Sequence, residues 1–213
     1  MDKNIICFLG MKTCGKDYNA EAFINSGYKK IAFADPLRDI VWKILGYTPD
    51  KKDTISYTDF KNCVLTTEKK CKIFNIIPWY KDFVVTTIRK ILQNTGSVFK
   101  ELFGETYWAN LWYKEVLNSE INNIVCTDAR FTYELKKILS LSKRGYKITF
   151  VWCQHEGADY INILKDNHES EELSQFMYNN RKQYGLYDGC VLKEHIIKKI
   201  IKDFEKHKKI SNL

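Results

Sequence analysis

The chain has 213 residues, 45% of them hydrophobic, which suits one domain with a substantial core. No apolar run approaches the ~20 residues that a membrane-spanning helix needs, so we expect no membrane partner. The 34 Lys and Arg exceed the 26 Asp and Glu, but acidic residues lie between the lysines along the whole chain. This distribution favours a solvated surface and an anionic small-molecule substrate over a nucleic-acid partner.

The seven cysteines show neither CxxC pairs nor the spacing of Cys/His metal sites. Together with the absence of a signal-peptide pattern, this predicts a reducing, cytoplasmic location. Cys7, Cys126 and Cys153 lie in apolar runs and are expected in the core. Cys14 lies in a loop at the N-terminus of a predicted helix, where the pKa of a thiol falls, so we expect sensitivity to oxidation rather than a catalytic role.

A glycine-containing loop at 10–17 lies between an apolar run at 5–9, which predicts a buried strand, and a predicted helix at 18–24. The order strand, loop, Lys16 and helix predicts a phosphate-binding loop. Its glycines allow unusual backbone conformations, and its amides lie at the positive end of the helix dipole. The residues predicted to bind a nucleotide are Gly10, Lys12, Thr13, Cys14, Gly15, Lys16, Asp17 and Tyr18.

The position after Lys16 departs from the usual pattern of such loops. A Ser or Thr is expected there, because its hydroxyl reaches Mg²⁺, but the chain has Asp17 followed by Tyr18. Asp17 either holds Mg²⁺ through water or simply begins the helix, where a carboxylate suits the dipole. The alternative for the whole loop is a glycine turn with one surface lysine.

Strand and helix patterns alternate along the rest of the chain. Further strands are predicted at 28–34, 123–127, 146–153 and 189–192. Further helices are predicted at 35–46, 83–102, 106–117, 131–143, 169–178 and 194–208, while 47–82 shows only loops and short helices. This alternation predicts an α/β fold, in which helices cover both faces of a five-stranded parallel sheet.

Two charged residues, Asp128 and Arg130, follow the predicted strand at 123–127. Ligands of open α/β sheets bind beyond the carboxyl ends of the strands, so both are expected in the same crevice as the loop. Glu134 lies one helical turn after Arg130 and is expected to pair with it. Arg130 is then either a group of the site or only a structural partner of Glu134.

Four stretches, in this order, resemble the deoxynucleoside monophosphate kinases of tailed phages and some large DNA viruses. They are GMKTCGKD at 10–17, ADPLRD at 34–39, LQNTGSVFKELFGETYWAN at 92–110 and TDARFTYE at 127–134; DNHESEE at 166–172 resembles a family segment of the form His-x-Ser/Thr-Glu. The resemblance implies a P-loop kinase fold and a single domain at 1–213. It also implies a substrate-binding helical region at about 36–118, a lid at about 154–187 and, for a viral protein, the host cytoplasm.

The resemblance implies transfer of the γ-phosphoryl group of ATP to a deoxynucleoside monophosphate, with Mg²⁺ as cofactor. The implied catalytic residues are Lys16, Arg38, Asp128 and Arg130, and the implied Mg²⁺ ligands are Asp17 and Asp128. The implied substrate-binding residues are Asp35, Arg38, Gln93, Lys100, Trp108, Asp128 and Arg130. Two features depart from the family, because Lys100 stands where many relatives carry Arg and the segment 154–172 contains no arginine.

Two alternatives stay open. A P-loop kinase can act on another acceptor, such as dephospho-coenzyme A or phosphomevalonate. A nucleotide-binding module without turnover would suit the missing hydroxyl after Lys16. The tryptophans of the helix at 106–117 are expected mainly in the core, and the exposed side of that helix is a candidate contact for a homodimer.

Overall fold

The computed structural model describes residues 2–44, 88–154 and 169–211. The chain divides into two compact units, one formed by Met1–Phe33 with Ala109–Leu213 and the other by Ala34–Trp108. The predicted stretch of loops and short helices at 47–82 lies outside the described residues.

The first unit contains a five-stranded sheet with the order β2-β3-β1-β4-β5. Its strands are β1 Lys3–Leu9, β2 Lys29–Lys30, β3 Asn123–Cys126, β4 Tyr146–Trp152 and β5 Val191–Leu192. The central strand β1 pairs in parallel with β3 on one side and with β4 on the other. The predicted α/β fold is therefore confirmed, and its sheet is mostly parallel.

Helices connect the strands, and most lie close to their predicted positions. They are α1 Lys16–Asn25, α2 Asp35–Ile44, α3 Ile88–Phe103, α4 Tyr107–Asn118, α5 Thr132–Ser140, α6 Glu169–Asn179, α7 Arg181–Tyr184 and α8 Glu194–Ser211. A 3₁₀ turn at Leu141–Arg144 follows α5. None of the helices in the described ranges is long and apolar enough to cross a bilayer.

The side chains of β1 alternate between two hydrophobic clusters, one on each face of the sheet. Ile5, Cys7 and Leu9 belong to the larger cluster, which also receives side chains from α4, α5, α6 and α8. Ile6 and Phe8 belong to a smaller cluster that includes Ala20 of α1. Because both faces of β1 are covered, the strand is an almost unbroken apolar run, as the sequence indicated.

The prediction that all five strands run in parallel was wrong for β5, which is antiparallel to β4. The turn before β5 is fixed at the carboxyl end of β4, where Gly189 N donates to Trp152 O at 2.9 Å and Gln154 N donates to Asp188 Oδ1 at 2.7 Å. A strand that starts at that end of β4 can only run back along it.

The second strand is also shorter than the predicted 28–34, because its partner β3 ends early. Ile31 N still donates to Val125 O at 3.1 Å, but Phe33 N donates at 2.9 Å to a side-chain oxygen of Asp128. The apolar side chains of 31–33 are buried without a strand ladder. Their apolar run therefore marks burial rather than a strand.

In the second unit, α2 packs against α3 where Gly96 faces Leu37. A Cβ atom on Gly96 would lie 3.3 Å from Leu37 Cδ2, which allows only a small side chain there. Trp108 Nε1 donates to Gly96 O at 3.1 Å, so the first turn of α4 is tied to the same point of α3. Val41, Trp42, Ile91 and Thr95 are also buried among the described residues of this unit.

Candidate functional site

The predicted phosphate loop joins the carboxyl end of β1 to the start of α1. Gly15 precedes α1 in a left-handed conformation with φ of 85°, and no side chain caps the helix. Thr13 also has a positive φ, 63°, although it carries a Cβ atom. The first amides of an α-helix have no partner within the helix, so a loop of this shape leaves donors for an anion. Tyr18, which follows the loop in the first turn of α1, is 80% exposed.

Gly10 is the point where the loop touches the end of β4. Its φ is 144°, and a Cβ atom there would lie 2.3 Å from Cys153 O and 2.6 Å from Cys14 Sγ. Cys153 N in turn donates to Leu9 O at 2.8 Å, which continues the pairing of β4 with β1. No residue larger than glycine fits at this position without moving the backbone.

The Lys16 side chain folds back over the loop instead of extending into solvent. Its Nζ donates to Gly10 O at 2.9 Å and to Met11 O at 2.5 Å. It also lies 3.5 Å from Cys14 Sγ. A full positive charge therefore lies within the loop, where a bound phosphate would meet it.

Asp17 lies in the first turn of α1 and is joined to the end of β3. Its Oδ1 accepts hydrogen bonds from Thr127 Oγ1 and from Lys30 Nζ, each at 2.7 Å. Partial burial raises the pKa of the Asp17 carboxyl, but these hydrogen bonds outweigh it and hold the pKa below its usual value. The carboxylate thus stays ionised, and the hydroxyl missing after Lys16 is present nearby on Thr127.

Asp128 follows Thr127 in the sequence, and its side chain contacts the segment that follows β2. Its Oδ1 accepts from Phe33 N at 2.9 Å, and Cys126 Sγ lies 3.6 Å from the same oxygen. Asp128 therefore has a structural role at the carboxyl end of the sheet, directly beside the Thr127–Asp17 hydrogen bond.

The spacing of Arg130 and Glu134 predicted an ion pair between their side chains, but the Arg130 guanidinium has a different partner. Its Nη1 contacts Glu171 Oε1 of α6, whereas Glu134 Oε2 accepts from the main-chain amides of Arg130 at 2.6 Å and Phe131 at 3.0 Å. Glu134 is the third residue of α5, so its carboxylate satisfies amides at the start of its own helix. This local capping prevails over the side-chain pair.

The pair formed by Arg130 and Glu171 is only partly open to solvent. The Glu171 side chain is 5% exposed and the Arg130 side chain 32%. Glu171 Oε2 is buried and has no hydrogen-bond partner among the described residues. A carboxylate in this position requires the nearby guanidinium, so Glu171 fixes where the charge of Arg130 lies.

Burial also acts on Glu134, whose side chain lies inside the protein. Loss of solvent raises the pKa of Glu134 to about 8, although the amides of Arg130 and Phe131 favour the ionised form. The group therefore titrates close to neutral pH.

Cys14 and Cys153 form a hydrogen-bonded thiol pair beside Gly10. The hydrogen bond from Cys153 lowers the pKa of Cys14 to about 6, against the effect of burial and with help from the charge of Lys16. The same hydrogen bond, together with burial, raises the pKa of Cys153. The pKa of Cys14 is thus shifted in the direction expected from its position, but through Cys153 and Lys16.

The remaining predicted site residues lie in the second unit. Arg38 Nη1 is 2.6 Å from Asp35 Oδ1, an ion pair within the first turns of α2. Trp108 is nearly buried, with its indole bonded to Gly96 as described above. Gln93 and Lys100 are half-buried on α3. These contacts give Arg38 and Trp108 local structural roles, and their contact with a substrate stays a prediction.

The predicted lid at about 154–187 is described only in part. Residues 169–187 include α6 and α7, and Leu173 and Met177 of α6 belong to the main core. Residues 155–168 lie outside the described residues, so a lid stays a prediction.

A magnesium ion would find oxygen ligands near the loop but no complete protein cage. Within the described ranges, no group of three or more His, Cys, Asp or Glu side chains can hold a metal ion. Mg²⁺ is usually held by one or two carboxylates together with the phosphates of its substrate. Asp17, with Thr127 and Asp128 at the end of β3, fits that kind of site.

Sequence reasoning gave no role to Glu171, although a signal was present. Glu171 lies three residues before Ser174 and six before Met177, and all three are buried on one face of α6. This helical spacing distinguishes Glu171 from the neighbouring Glu169 and Glu172, which do not lie on the buried face. Thr127 was also missed, although it lies at a strand end that faces a loop without the usual hydroxyl.

No family model matches the chain, and no curated protein matches it in a sequence search.

Proposed function

We propose that the protein is a deoxynucleoside monophosphate kinase that transfers the γ-phosphoryl group of ATP, with Mg²⁺, to a deoxynucleoside monophosphate in the cytoplasm of a host cell. The observation that carries the proposal is the loop between β1 and α1, in which Lys16 Nζ lies over the carbonyls of Gly10 and Met11. The choice of acceptor rests on the resemblance of four sequence stretches.

Phosphoryl transfer requires mainly positioning and electrostatic stabilisation, because the protein performs little covalent chemistry. In this proposal the loop amides and Lys16 bind and orient the phosphates of ATP. Arg130, held by Glu171, supplies a second positive charge at the carboxyl end of the sheet. Asp17 and Asp128 hold Mg²⁺, which neutralises phosphate charge when bound, and Thr127 orients Asp17.

The family resemblance implies which residues bind the acceptor in the second unit. They are Asp35, Arg38, Gln93, Lys100 and Trp108. The ion pair of Arg38 with Asp35 keeps one guanidinium in a defined place on α2. This helps to orient a phosphate, because less side-chain freedom is lost on binding.

The test is ADP release from Mg-ATP with each common deoxynucleoside monophosphate, with each ribonucleoside monophosphate and without acceptor. Lys16→Ala should lower turnover at least about 100-fold, the usual effect of removing one donor to a reacting phosphate or oxyanion. Lys198→Ala is a matched control, since Lys198 is an exposed lysine paired with Glu194 on α8. Full turnover by Lys16→Ala, or turnover only with an acceptor that is not a nucleotide, would contradict the proposal.

A second candidate function, a nucleotide-binding module without turnover, is favoured by one observation. Asp17 replaces the expected hydroxyl and is already bonded to Lys30 and Thr127. Such a module would bind ATP in calorimetry but release no ADP with any acceptor. If it bound nucleic acid instead, its affinity would fall steeply with added salt.

A further inference from the structure

Two cysteine side chains from distant parts of the sequence meet at the phosphate loop. Cys14 lies within the loop, and Cys153 directly follows β4. Both lie beside Gly10, since a Cβ atom on that residue would lie 2.6 Å from Cys14 Sγ and 2.3 Å from the main-chain oxygen of Cys153. The two thiols hydrogen-bond to each other, and both residues belong to the smaller hydrophobic cluster.

The surroundings of the two sulfurs differ in a way that gives them different chemistry. Lys16 Nζ lies 3.5 Å from Cys14 Sγ and favours its thiolate, while Asn19 Nδ2 donates to Cys153 Sγ at 3.6 Å. The pKa of Cys14 is lowered to about 6 and that of Cys153 is raised. At neutral pH Cys14 is therefore the nucleophile and Cys153 holds the proton.

We propose that Cys14 and Cys153 are a peroxide-sensitive thiol pair, and that oxidation joins the phosphate loop to the end of β4 through a disulfide. This inference does not depend on the proposed kinase activity, because it rests on the contact between the two side chains. It adds a site of modification next to Lys16.

The reaction has two steps. The Cys14 thiolate attacks a peroxide oxygen, so that an S–O bond forms, the O–O bond breaks and the leaving hydroxide takes up a proton to give water. The Cys153 sulfur then attacks the Cys14 sulfenic acid, so that the S–S bond forms and the S–O bond breaks, and the leaving hydroxide takes the Cys153 proton. Two thiols are oxidised to one disulfide, and one hydrogen peroxide is reduced to two water molecules.

A second cysteine pair in the same sheet provides an internal comparison. Cys7 and Cys126 lie opposite each other on β1 and β3, and both are fully buried. Burial and a hydrogen bond with Cys7 raise the pKa of Cys126 well above its usual value. Within the part of the chain that the structure describes, burial, Cys7 and Asp128 act on the Cys126 thiol, and no lysine acts on it as Lys16 acts on Cys14, so this pair should remain reduced.

The experiment treats the reduced full chain with hydrogen peroxide, alkylates remaining thiols in denaturant and maps disulfides by mass spectrometry of peptides. We expect a link between the peptides of Cys14 and Cys153, with the loss of two hydrogens and reversal by dithiothreitol. The Cys126→Ser variant should form this link at the same rate.

Two further measurements make the result specific. The Cys153→Ser variant should accumulate a sulfenic acid on Cys14, which dimedone traps, and the wild type should trap much less. The proposal is overturned if Cys14 of the wild type stays free, becomes sulfinic acid without linking, or links to a different cysteine. Because wild-type mapping alone decides this, the test holds even if a variant fails to fold.

Discussion

The substitution Gly10→Ala tests the close contact between the phosphate loop and the end of β4. The added methyl group would lie 2.3 Å from the main-chain oxygen of Cys153, and a main-chain atom cannot move aside as a flexible side chain can. It would also sit 2.6 Å from Cys14 Sγ. The position has φ of 144°, which residues with a Cβ atom rarely adopt.

Two effects add to the loss of stability. Placing alanine at a positive φ costs about 1–2 kcal/mol, and forcing a methyl group into a packed site costs about 1–3 kcal/mol more. We expect Gly10→Ala to lower the free energy of unfolding by about 4 kcal/mol. For a chain of this size that is a fall in melting temperature of roughly 10 °C.

The matched control is Gly27→Ala, because Gly27 also has a positive φ, 91°, but a Cβ atom there would meet no atom within 4 Å. In this control the free energy of unfolding should fall only by the cost of placing alanine at a positive φ, about 1–2 kcal/mol. Thermal unfolding followed by circular dichroism measures both variants. Equal losses at Gly10 and Gly27 would refute the reasoning, because the contact with Cys153 would then contribute nothing.

Two further predictions concern buried carboxylates. Because the pKa of Glu134 is raised to about 8, the folded protein holds a proton there that the unfolded chain releases near its ordinary pKa of 4.5. Wild-type stability should therefore fall as the pH rises from 5 to 8, by up to about 1 kcal/mol per pH unit, and Glu134→Gln should lose less in urea titrations over that range. Glu171→Ala should lower stability by about 2 kcal/mol, because it leaves the half-buried charge of Arg130 without its carboxylate. Glu194→Ala, which breaks only the exposed pair with Lys198, should change the free energy of unfolding by less than about 0.5 kcal/mol. Equal losses of stability in Glu171→Ala and Glu194→Ala would contradict the expectation for Glu171. Parallel curves of stability against pH for Glu134→Gln and wild type would contradict the expectation for Glu134.

Apolar runs and helical periodicity predicted the central part of the fold well. The strands β1, β3 and β4 and the helices α4 and α6 all lie close to where the sequence placed them. These elements bury one or two whole faces, and burial leaves a clear pattern of apolar residues. The direction of β5 left no such pattern, since it depends on where the preceding turn is fixed at Gly189 and Asp188.

The candidate site was predictable only where one local stretch carries it. The loop at 10–17 was recognisable because its glycines and Lys16 are close together in sequence. The hydrogen bond between Thr127 and Asp17 and the pair of Arg130 with Glu171 each join residues far apart in sequence. No residue spacing reveals which partner a side chain chooses when several acidic residues are available.

The outer strands of the sheet have a consequence for how copies of the chain meet. In the described residues, β2 and β5 form the two edges, and each is two residues long. The edge strand β2 consists of Lys29 and Lys30, both exposed. Short edges that carry lysine offer few free main-chain groups and repel a second identical edge. Continuous intermolecular β-sheets, the usual start of fibrils, should therefore not grow from β2.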